Sequence, residues 1–191
     1  MSNSESRPTA LVVTGVPGAG KSTLARGLCR ALPAALLDLD TATAELTGVV
    51  SRLLGGSDRF DLDDERLAGL TRTARYATLT ALARENLDVG MDVVLVAPYT
   101  SERRDARAWS RLAGELRSAG GEPVLVWLGI ESDLWHERIR TRGAARDAAR
   151  LASPDRMARI DPAPPMAPHL ALDAGLPQAR LVEQVMAAVG R

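Results

Sequence analysis

The segment Gly15-Val16-Pro17-Gly18-Ala19-Gly20-Lys21-Ser22 has the residue types and spacing of a phosphate-binding loop, G-x-x-x-x-G-K-[ST]. Glycines let backbone N–H groups curve around an anion, and the helix that follows adds its dipole. The lysine ammonium can reach the β- and γ-phosphates of a nucleotide, and the serine hydroxyl can ligate Mg²⁺. The motif therefore predicts ATP and Mg²⁺ as ligands. The predicted nucleotide-binding residues are Gly15, Val16, Pro17, Gly18, Ala19, Gly20, Lys21, Ser22 and Thr23.

Lys21 is the only lysine among the 24 basic residues of the chain. A general preference for arginine explains this composition, but it does not explain which position keeps its lysine. Because a planar guanidinium is bulkier than an ammonium, arginine cannot replace lysine in such a loop. The position of the single lysine therefore supports a direct role for Lys21 in phosphate chemistry.

Two aspartates, Asp38 and Asp40, lie at the carboxyl end of the second apolar segment, which predicts a strand over 35–39. The carboxyl ends of parallel strands open onto the ligand crevice of an α/β sheet. Residues two apart on an extended segment point the same way. One carboxylate could then support Mg²⁺, while the other accepts a proton from an attacking hydroxyl. The alternative is helix capping, with Asp40 or Thr41 as the N-cap of the next helix.

Three arginines, Arg138, Arg142 and Arg146, are spaced by four and share one face of a helix predicted over 132–151. Phosphoryl transfer requires positive charge over the equatorial oxygens of the phosphate. A helix followed by the flexible Gly143 could act as a lid that excludes water. The alternative is a solvent-exposed face whose arginines pair with nearby acidic residues.

Arginine and tyrosine side chains suited to a second substrate occur on either side of the third predicted strand, 92–97. Arg72 and Arg75 are helical neighbours that could bind a carboxylate or a phosphate, or could be surface arginines. Tyr99 and Arg103 follow the strand, and Tyr99 could contact the acceptor or pack in the core. The tryptophans are expected in the core: Trp109, Trp127 and Trp135.

Short apolar runs alternate with helical stretches, which predicts βαβ units and a parallel sheet covered on both faces. The predicted strands are 10–14, 35–39, 92–97, 123–128 and 169–172, and the main predicted helices are 21–32, 102–119, 132–151 and 177–189. We expect residues 1–8 to be a flexible N-terminus and residues 9–191 to be a single domain.

The charge balance argues against a nucleic-acid partner, because 24 basic and 24 acidic residues give a net charge of zero. Residues 1–8 lack the apolar region of a signal peptide, and no apolar run is long enough to span a bilayer. We therefore expect a cytoplasmic protein, and we expect it to be a monomer or a homodimer.

Three signatures of other P-loop proteins are absent from the sequence: Asn-Lys-x-Asp, Leu-Ser-Gly-Gly-Gln and an acidic pair after the third strand. Their absence argues against GTPases, ABC proteins and ATPase motors, respectively.

The phosphate loop, the aspartate pair and the R-x-x-x-R-x-x-x-R helix together resemble the nucleoside-monophosphate-kinase-like branch of P-loop kinases. Members of this branch include gluconate kinase, shikimate kinase and chloramphenicol phosphotransferase, and the chain is also similar to bacterial proteins labelled AAA-family ATPases or predicted kinases. The resemblance extends over nearly the whole chain. It implies a three-layer α/β P-loop NTPase fold, with a five-stranded parallel sheet of order 2-3-1-4-5 and helices on both faces. It also implies acceptor-covering helices over 41–87 and an arginine-rich lid over 138–160.

The resemblance also implies roles for individual residues. Asp40 would be the base that activates a hydroxyl, Asp38 would support Mg²⁺, Arg138 would pack on the adenine, and Arg142 and Arg146 would clamp phosphates. The implied activity is ATP- and Mg²⁺-dependent phosphorylation of an alcohol group on a small molecule, such as an antibiotic, a sugar or a nucleoside. An antibiotic-inactivating phosphotransferase is one such case. The alternatives are a polynucleotide 5′-hydroxyl kinase and a nucleotide-gated regulatory protein.

The chain departs from its relatives at the acceptor side. Ala97-Pro98-Tyr99 replaces the glycine-rich end of the third strand of shikimate kinase, and Gly143-Ala144-Ala145 replaces the Gly-His-Phe of gluconate kinase. The identity of the acceptor therefore cannot be transferred from either relative.

Overall fold

The structure is a computed structural model that describes residues 7–55, 65–142 and 160–191. Its strands are β1 (Thr9–Gly15), β2 (Ala34–Asp38), β3 (Asp92–Val96), β4 (Glu122–Gly129) and β5 (Leu170–Asp173). Its helices are α1 (Lys21–Ala31), α2 (Leu39–Leu53), α3 (Glu65–Asp88), α4 (Thr100–Arg104), α5 (Ala106–Ser118), α6 (Ser132–Arg142) and α7 (Gln178–Ala188).

The five strands form one sheet of order β2-β3-β1-β4-β5, and every neighbouring pair is parallel. The predicted sheet order and fold class are therefore confirmed. The register places Asp38 beside Val96 and Gly15 beside Leu128. Because the strands run the same way, their carboxyl ends gather at one edge of the sheet, which is where an open α/β sheet binds its ligand.

The apolar side chains of the central strand β1 alternate between two cores. Leu11 and Val13 point into a cluster that contains residues of α1, α6 and α7. Ala10 and Val12 point to the other face, into a cluster that contains residues of α3 and α5. This alternation follows from the two-residue period of a strand, and it produces helices on both faces of the sheet.

Two predicted boundaries were wrong, and in both cases an aspartate cap is the reason. Strand β2 ends at Asp38, because the Asp38 carboxylate accepts hydrogen bonds from the N–H groups of Asp40 and Thr41 and so begins α2 at Leu39. The helix predicted over 102–119 is two helices. Asp105 is extended (φ −134°, ψ 111°) and accepts from the Arg107 N–H, so it caps α5.

Parts of three predicted segments lie outside the described residues. They are residues 1–6 of the N-terminus, residues 56–64 of the acceptor-covering segment, and residues 143–159 of the lid. In the part of the chain that is described, no helix has the length and apolar character needed to cross a membrane.

Candidate active site

The phosphate loop lies between β1 and α1 and depends on glycine at its two sharpest bends. Gly18 has φ 82° and Gly20 has φ 102°, a left-handed conformation that side chains with a Cβ rarely adopt. Gly20 is also the N-cap of α1, and no side chain of the described residues caps the helix there. The positive end of the α1 dipole therefore lies at the loop, where it favours an anion.

The Lys21 side chain folds back across the loop. Its ammonium donates hydrogen bonds to the carbonyl oxygens of Gly15 and Val16, both at 3.0 Å. An ammonium held this way is already next to the loop that would receive the phosphates. A nucleotide would exchange these carbonyls for phosphate oxygens, which are stronger charge-assisted acceptors.

A cavity of about 500 Å³ opens above the loop at the carboxyl edge of the sheet. Its walls come from the phosphate loop, from the ends of β2 and β3, from α6, and from residues 174–178, which we call the β5–α7 junction. The predicted site residues that line it are Pro17, Gly18, Ala19, Gly20, Lys21, Ser22, Thr23, Asp38, Asp40 and Arg138. Other lining residues include Val96, Ala97, Pro98, Thr141, Ala174, Leu176 and Gln178.

Ser22 and Asp38 bring a hydroxyl and a carboxylate oxygen together in the lining of this cavity. The Ser22 hydroxyl donates to Asp38 Oδ2 at 2.9 Å, while Asp38 Oδ1 caps α2. A hydroxyl and a carboxylate oxygen suit Mg²⁺, which prefers oxygen ligands and keeps waters and substrate phosphates in its shell. No group of three or more His, Cys, Asp or Glu side chains able to hold a metal occurs in the described ranges. The donor set therefore fits a shared Mg²⁺ site and not an all-protein cage.

Asp40 lies on the first turn of α2 and not on an extended segment, so the geometric reason given from the sequence was wrong. Its side chain nevertheless lines the same cavity as Asp38. Arg75 donates to Asp40 Oδ1 at 2.7 Å and to the Thr43 hydroxyl at 2.8 Å. The Arg75 side chain is 12% exposed and that of Asp40 is 44% exposed. Arg75 thus fixes the direction of a carboxylate that still reaches solvent.

Tyr99 lies in the core and not on the cavity wall. It is 1% exposed, and its ring packs edge-on against Tyr76 at 5.6 Å between centroids. Burial raises the pKa of the Tyr99 hydroxyl well above its ordinary value, and burial also raises the pKa of Tyr76. The Arg72 guanidinium lies 5.1 Å from the centre of the Tyr76 ring. Of the two predicted contacts, the structure shows the packing of Tyr99.

Replacing Tyr99 by Phe tests whether its hydroxyl matters. Within the described residues the buried oxygen has no hydrogen-bond partner, so removing it should leave the free energy of unfolding unchanged or raise it by about 1 kcal/mol. Urea unfolding measures this effect. If a fully folded Tyr99→Phe protein instead lost phosphoryl transfer, the result would favour the other predicted alternative, in which Tyr99 contacts the acceptor.

Arg103 is also buried, with 4% exposure. It contacts the residues that directly follow the predicted lid region. Its guanidinium stacks on Trp127 at 4.4 Å and donates to the carbonyl oxygens of Asp161 and Ala163 at 2.6 and 2.8 Å. Burial lowers the pKa of this guanidinium. These contacts give Arg103 a structural position outside the cavity lining, in place of the predicted acceptor contact.

Arg103→Ala and Arg104→Ala form a matched pair for stability. Loss of the stacked, hydrogen-bonded Arg103 should lower the free energy of unfolding by about 1–3 kcal/mol. The Arg104 side chain is 55% exposed where it pairs with Asp161, so its loss should cost less than about 1 kcal/mol. Urea titrations of both variants measure the difference. Equal losses would show that Arg103 does not anchor residues 161–163.

The Arg104–Asp161 pair adds a pH dependence. The hydrogen bond from Arg104 lowers the pKa of the Asp161 carboxyl below its ordinary value. Because the folded-state pKa is the lower one, this contribution is present near neutral pH and is lost as the pH falls through it.

Helix α6 joins the phosphate loop to the β5–α7 junction through Arg138. Its guanidinium donates to the carbonyl oxygen of Ala19 at 3.3 Å and to that of Ala174 at 2.8 Å, and it lines the cavity. This location is compatible with the predicted contact to the adenine. Arg142 is the last residue of α6, and Arg146 lies outside the described residues.

Sequence reasoning missed the wall formed by the β5–α7 junction. Ala174, Leu176 and Gln178 line the cavity, although their types carry no phosphate or acid–base chemistry. Their position was the available signal, because they directly follow a predicted strand at the carboxyl edge of the sheet. Thr141 is a similar case, one helical turn after Arg138 on α6.

A family model matches residues 11–161 of the chain: the AAA_33 family, described as an AAA domain. A search of curated proteins found no match. The matched range contains the phosphate loop, both aspartates and α6, whereas the lining residues Ala174, Leu176 and Gln178 lie beyond it.

Solved structures share the fold over nearly the whole chain. A protein from Chloroflexus aurantiacus with a provisional description as a kinase has a TM-score of 0.68 at 22% identity, covering 96% of this chain and 97% of its own. The APS kinase of Mycobacterium tuberculosis, solved with AMPPNP and APS, has a TM-score of 0.63 at 19% identity, covering 97% and 99%. A gluconokinase from Sinorhizobium meliloti has a TM-score of 0.56 at 16% identity, covering 97% and 93%. The chain thus has the fold of P-loop small-molecule kinases.

Proposed function

The chain belongs to the AAA domain family AAA_33, and from that premise we propose that it is a kinase that transfers the γ-phosphoryl group of ATP to a hydroxyl of a small molecule. One observation carries the proposal. The phosphate loop, the Ser22–Asp38 oxygen pair and the Asp40 carboxylate all line one cavity of about 500 Å³. A protein that only binds nucleotide needs the first of these features, whereas phosphoryl transfer to a hydroxyl needs a base beside them.

Each of these residues has a place in the reaction. Asp40 accepts the proton of the acceptor hydroxyl, whose oxygen forms a bond to the γ-phosphorus while the bond to the β–γ bridging oxygen breaks and ADP leaves. Lys21 leaves the loop carbonyls and neutralises the β- and γ-phosphate oxygens. Ser22 and Asp38 would hold Mg²⁺, which when bound supplies further neutralisation of phosphate charge.

The acceptor would enter between α2, α3 and the end of β3. Arg75 orients Asp40 through the 2.7 Å contact and so presents the base to the incoming hydroxyl. Arg72 lies on the exposed side of Tyr76, where its guanidinium could meet an anionic group of the acceptor. Pro98 closes this side of the cavity, and the Thr14 hydroxyl holds its carbonyl at 2.7 Å.

The nucleotide would extend from the loop toward α6 and the β5–α7 junction. Arg138 lies between these two walls, so we infer that it packs on the adenine. By resemblance to P-loop kinases, Arg142 and Arg146 would clamp the transferred phosphate from the lid. In this proposal the helices of 41–87 cover the acceptor, and the whole of 9–191 acts as one kinase domain.

The test is phosphoryl transfer from γ-labelled ATP with Mg²⁺ across a panel of hydroxyl compounds. The panel should contain chloramphenicol, nucleoside and aminoglycoside antibiotics, gluconate, shikimate, nucleosides and a short 5′-hydroxyl oligonucleotide. A labelled small product supports the proposal and names the acceptor class, including an antibiotic if one is labelled. Label on the oligonucleotide alone would overturn the small-molecule assignment in favour of a polynucleotide kinase. Tight ATP binding with no transfer to a wide panel would favour a nucleotide-gated regulator.

A further inference from the structure

The carbonyl groups of the phosphate loop are held by side chains of α1 and α6. Within the described residues, four of the five carbonyls from Gly15 to Ala19 accept a side-chain hydrogen bond: Gly15 and Val16 from Lys21, Pro17 from Trp135, and Ala19 from Arg138. The shortest is the bond from the Trp135 indole N–H to the Pro17 oxygen, at 2.6 Å. A tryptophan expected only in the core therefore contacts the loop directly.

The direction of a carbonyl fixes the direction of the next N–H group, because the peptide unit is planar and trans. Holding the Pro17 oxygen against α6 consequently turns the Gly18 N–H the opposite way. Gly18 lines the cavity, whereas Trp135 does not. The hydrogen bond thus directs a backbone donor to the side where phosphate would bind.

Glycine makes this external constraint necessary. Gly18 has φ 82°, and a glycine rotates more freely than any other residue, so its peptide units are not held by local sterics. The surface of α6 is close to it. A Cβ added at Gly18 would lie 3.1 Å from Ile139 Cγ1 and 3.7 Å from the Trp135 ring. The phosphate loop therefore packs directly against α6 at Gly18.

We propose that Trp135 is a positioning residue that keeps the Gly18 amide of the phosphate loop directed at the phosphates of the bound nucleotide. Lys21 would have to release its two carbonyls when it turns to phosphate, and Arg138 is itself proposed to contact the nucleotide. Trp135, which is 8% exposed, is the donor that stays on the loop throughout. The inference rests on the proposed function only in its assumption that the loop binds a nucleotide phosphate.

The test compares Trp135→Phe with the control Trp109→Phe. Both tryptophans are nearly buried, but Trp109 belongs to the core on the opposite face of the sheet. Calorimetry with ADP and with inorganic pyrophosphate, at a temperature where both variants are folded, measures the affinity. Loss of one hydrogen bond to the loop should weaken both ligands by about three- to tenfold in Trp135→Phe and leave them unchanged in Trp109→Phe.

Two results would overturn the inference, and they differ from failure of the proposed function. Unchanged pyrophosphate affinity in a folded Trp135→Phe protein would show that Trp135 only fills space. An equal loss in Trp109→Phe would show a general packing effect. If the wild-type protein bound neither ADP nor pyrophosphate, the proposed function would fail together with the inference.

If Trp135→Phe does not fold, the proposal can be tested by NMR on protein that keeps Trp135. The three indole N–H signals of the ¹⁵N-labelled protein are assigned with Trp109→Phe and Trp127→Phe. The Trp135 signal should exchange slowly with solvent and should exchange still more slowly when pyrophosphate is added. Rapid exchange that pyrophosphate does not alter would contradict the proposal.

Discussion

Replacing Asp40 by Asn will lower phosphoryl transfer by about 10²- to 10⁴-fold, which is the usual contribution of a positioned general base. The affinity for ATP should remain within about twofold, because Asp40 is proposed to act on the acceptor and not on the nucleotide. Asparagine keeps a side-chain oxygen at the position that accepts the 2.7 Å bond from Arg75, so the contact between α2 and α3 can persist. Steady-state rates and an ATP titration of the same preparation measure both quantities.

Glu183→Gln is the matched control for this loss of charge. Glu183 is 61% exposed and pairs with Arg180 on α7, away from the cavity. Its replacement should change neither the rate nor the affinity for ATP. Transfer that survived undiminished in Asp40→Asn would remove Asp40 from the role of base, and a loss of ATP binding would move it to the nucleotide site.

Replacing Lys21 by Arg will lower transfer by about 10²- to 10³-fold, the loss found when one donor to a developing negative charge is removed. Because Lys21→Arg keeps the positive charge, the loss of transfer would come from the different shape of the side chain. The ammonium fits beside the Gly15 and Val16 carbonyls at 3.0 Å, where a planar guanidinium is too large. We expect weaker ATP binding as well, because the same ammonium is proposed to contact the β- and γ-phosphates.

Arg180→Lys is the control for Lys21→Arg, because it makes the reverse exchange at a side chain that is 71% exposed. It should leave transfer unchanged. Lys21 is the one lysine of the chain, so an amine-selective acylating reagent should modify only this side chain and the α-amino group, and ATP should slow the modification of Lys21. Full activity in Lys21→Arg would contradict the assigned contact with the phosphates.

The phosphate loop and the sheet were predictable because their determinants are local. The glycine spacing of 15–20 requires a loop with left-handed residues, and the continuous apolar runs of β1 and β3 require a sheet buried on both faces. The order of the strands was implied by the resemblance to P-loop kinases. Glycines at this spacing and continuous apolar runs of this kind have few other structural roles.

Contacts between distant segments were not predictable in the same way. The sequence marks Arg75, Arg103 and Trp135 by type, but it does not specify their partners, which are 35, 58 and 118 residues away. Arg103 was expected at the acceptor, and Tyr99 either at the acceptor or in the core; both are buried in the structure. An arginine can stack on a buried tryptophan and bond to carbonyls as well as it binds an anion, so its type alone does not decide between the two.

The roles of Asp38 and Asp40 show how one pattern supports two interpretations. The sequence offered either helix capping or metal and proton chemistry. The cap was predicted at Asp40 or Thr41, whereas the structure places it at Asp38: one oxygen of Asp38 caps α2 and the other accepts the Ser22 hydroxyl. The aspartate that caps α2 therefore also presents a carboxylate oxygen to Ser22 at the start of α1.

We propose that ATP loses its γ-phosphoryl group to an organic hydroxyl in this cavity. The most direct measurement follows γ-labelled ATP with the wild-type protein and with Asp40→Asn, each with and without the hydroxyl panel, and separates labelled products from inorganic phosphate. We expect ADP formation that depends on an acceptor, with the label in a small organic product, and a loss of both in Asp40→Asn. Label that stays in ATP, or that appears only as inorganic phosphate at equal rates in both proteins, would contradict the proposed phosphoryl transfer.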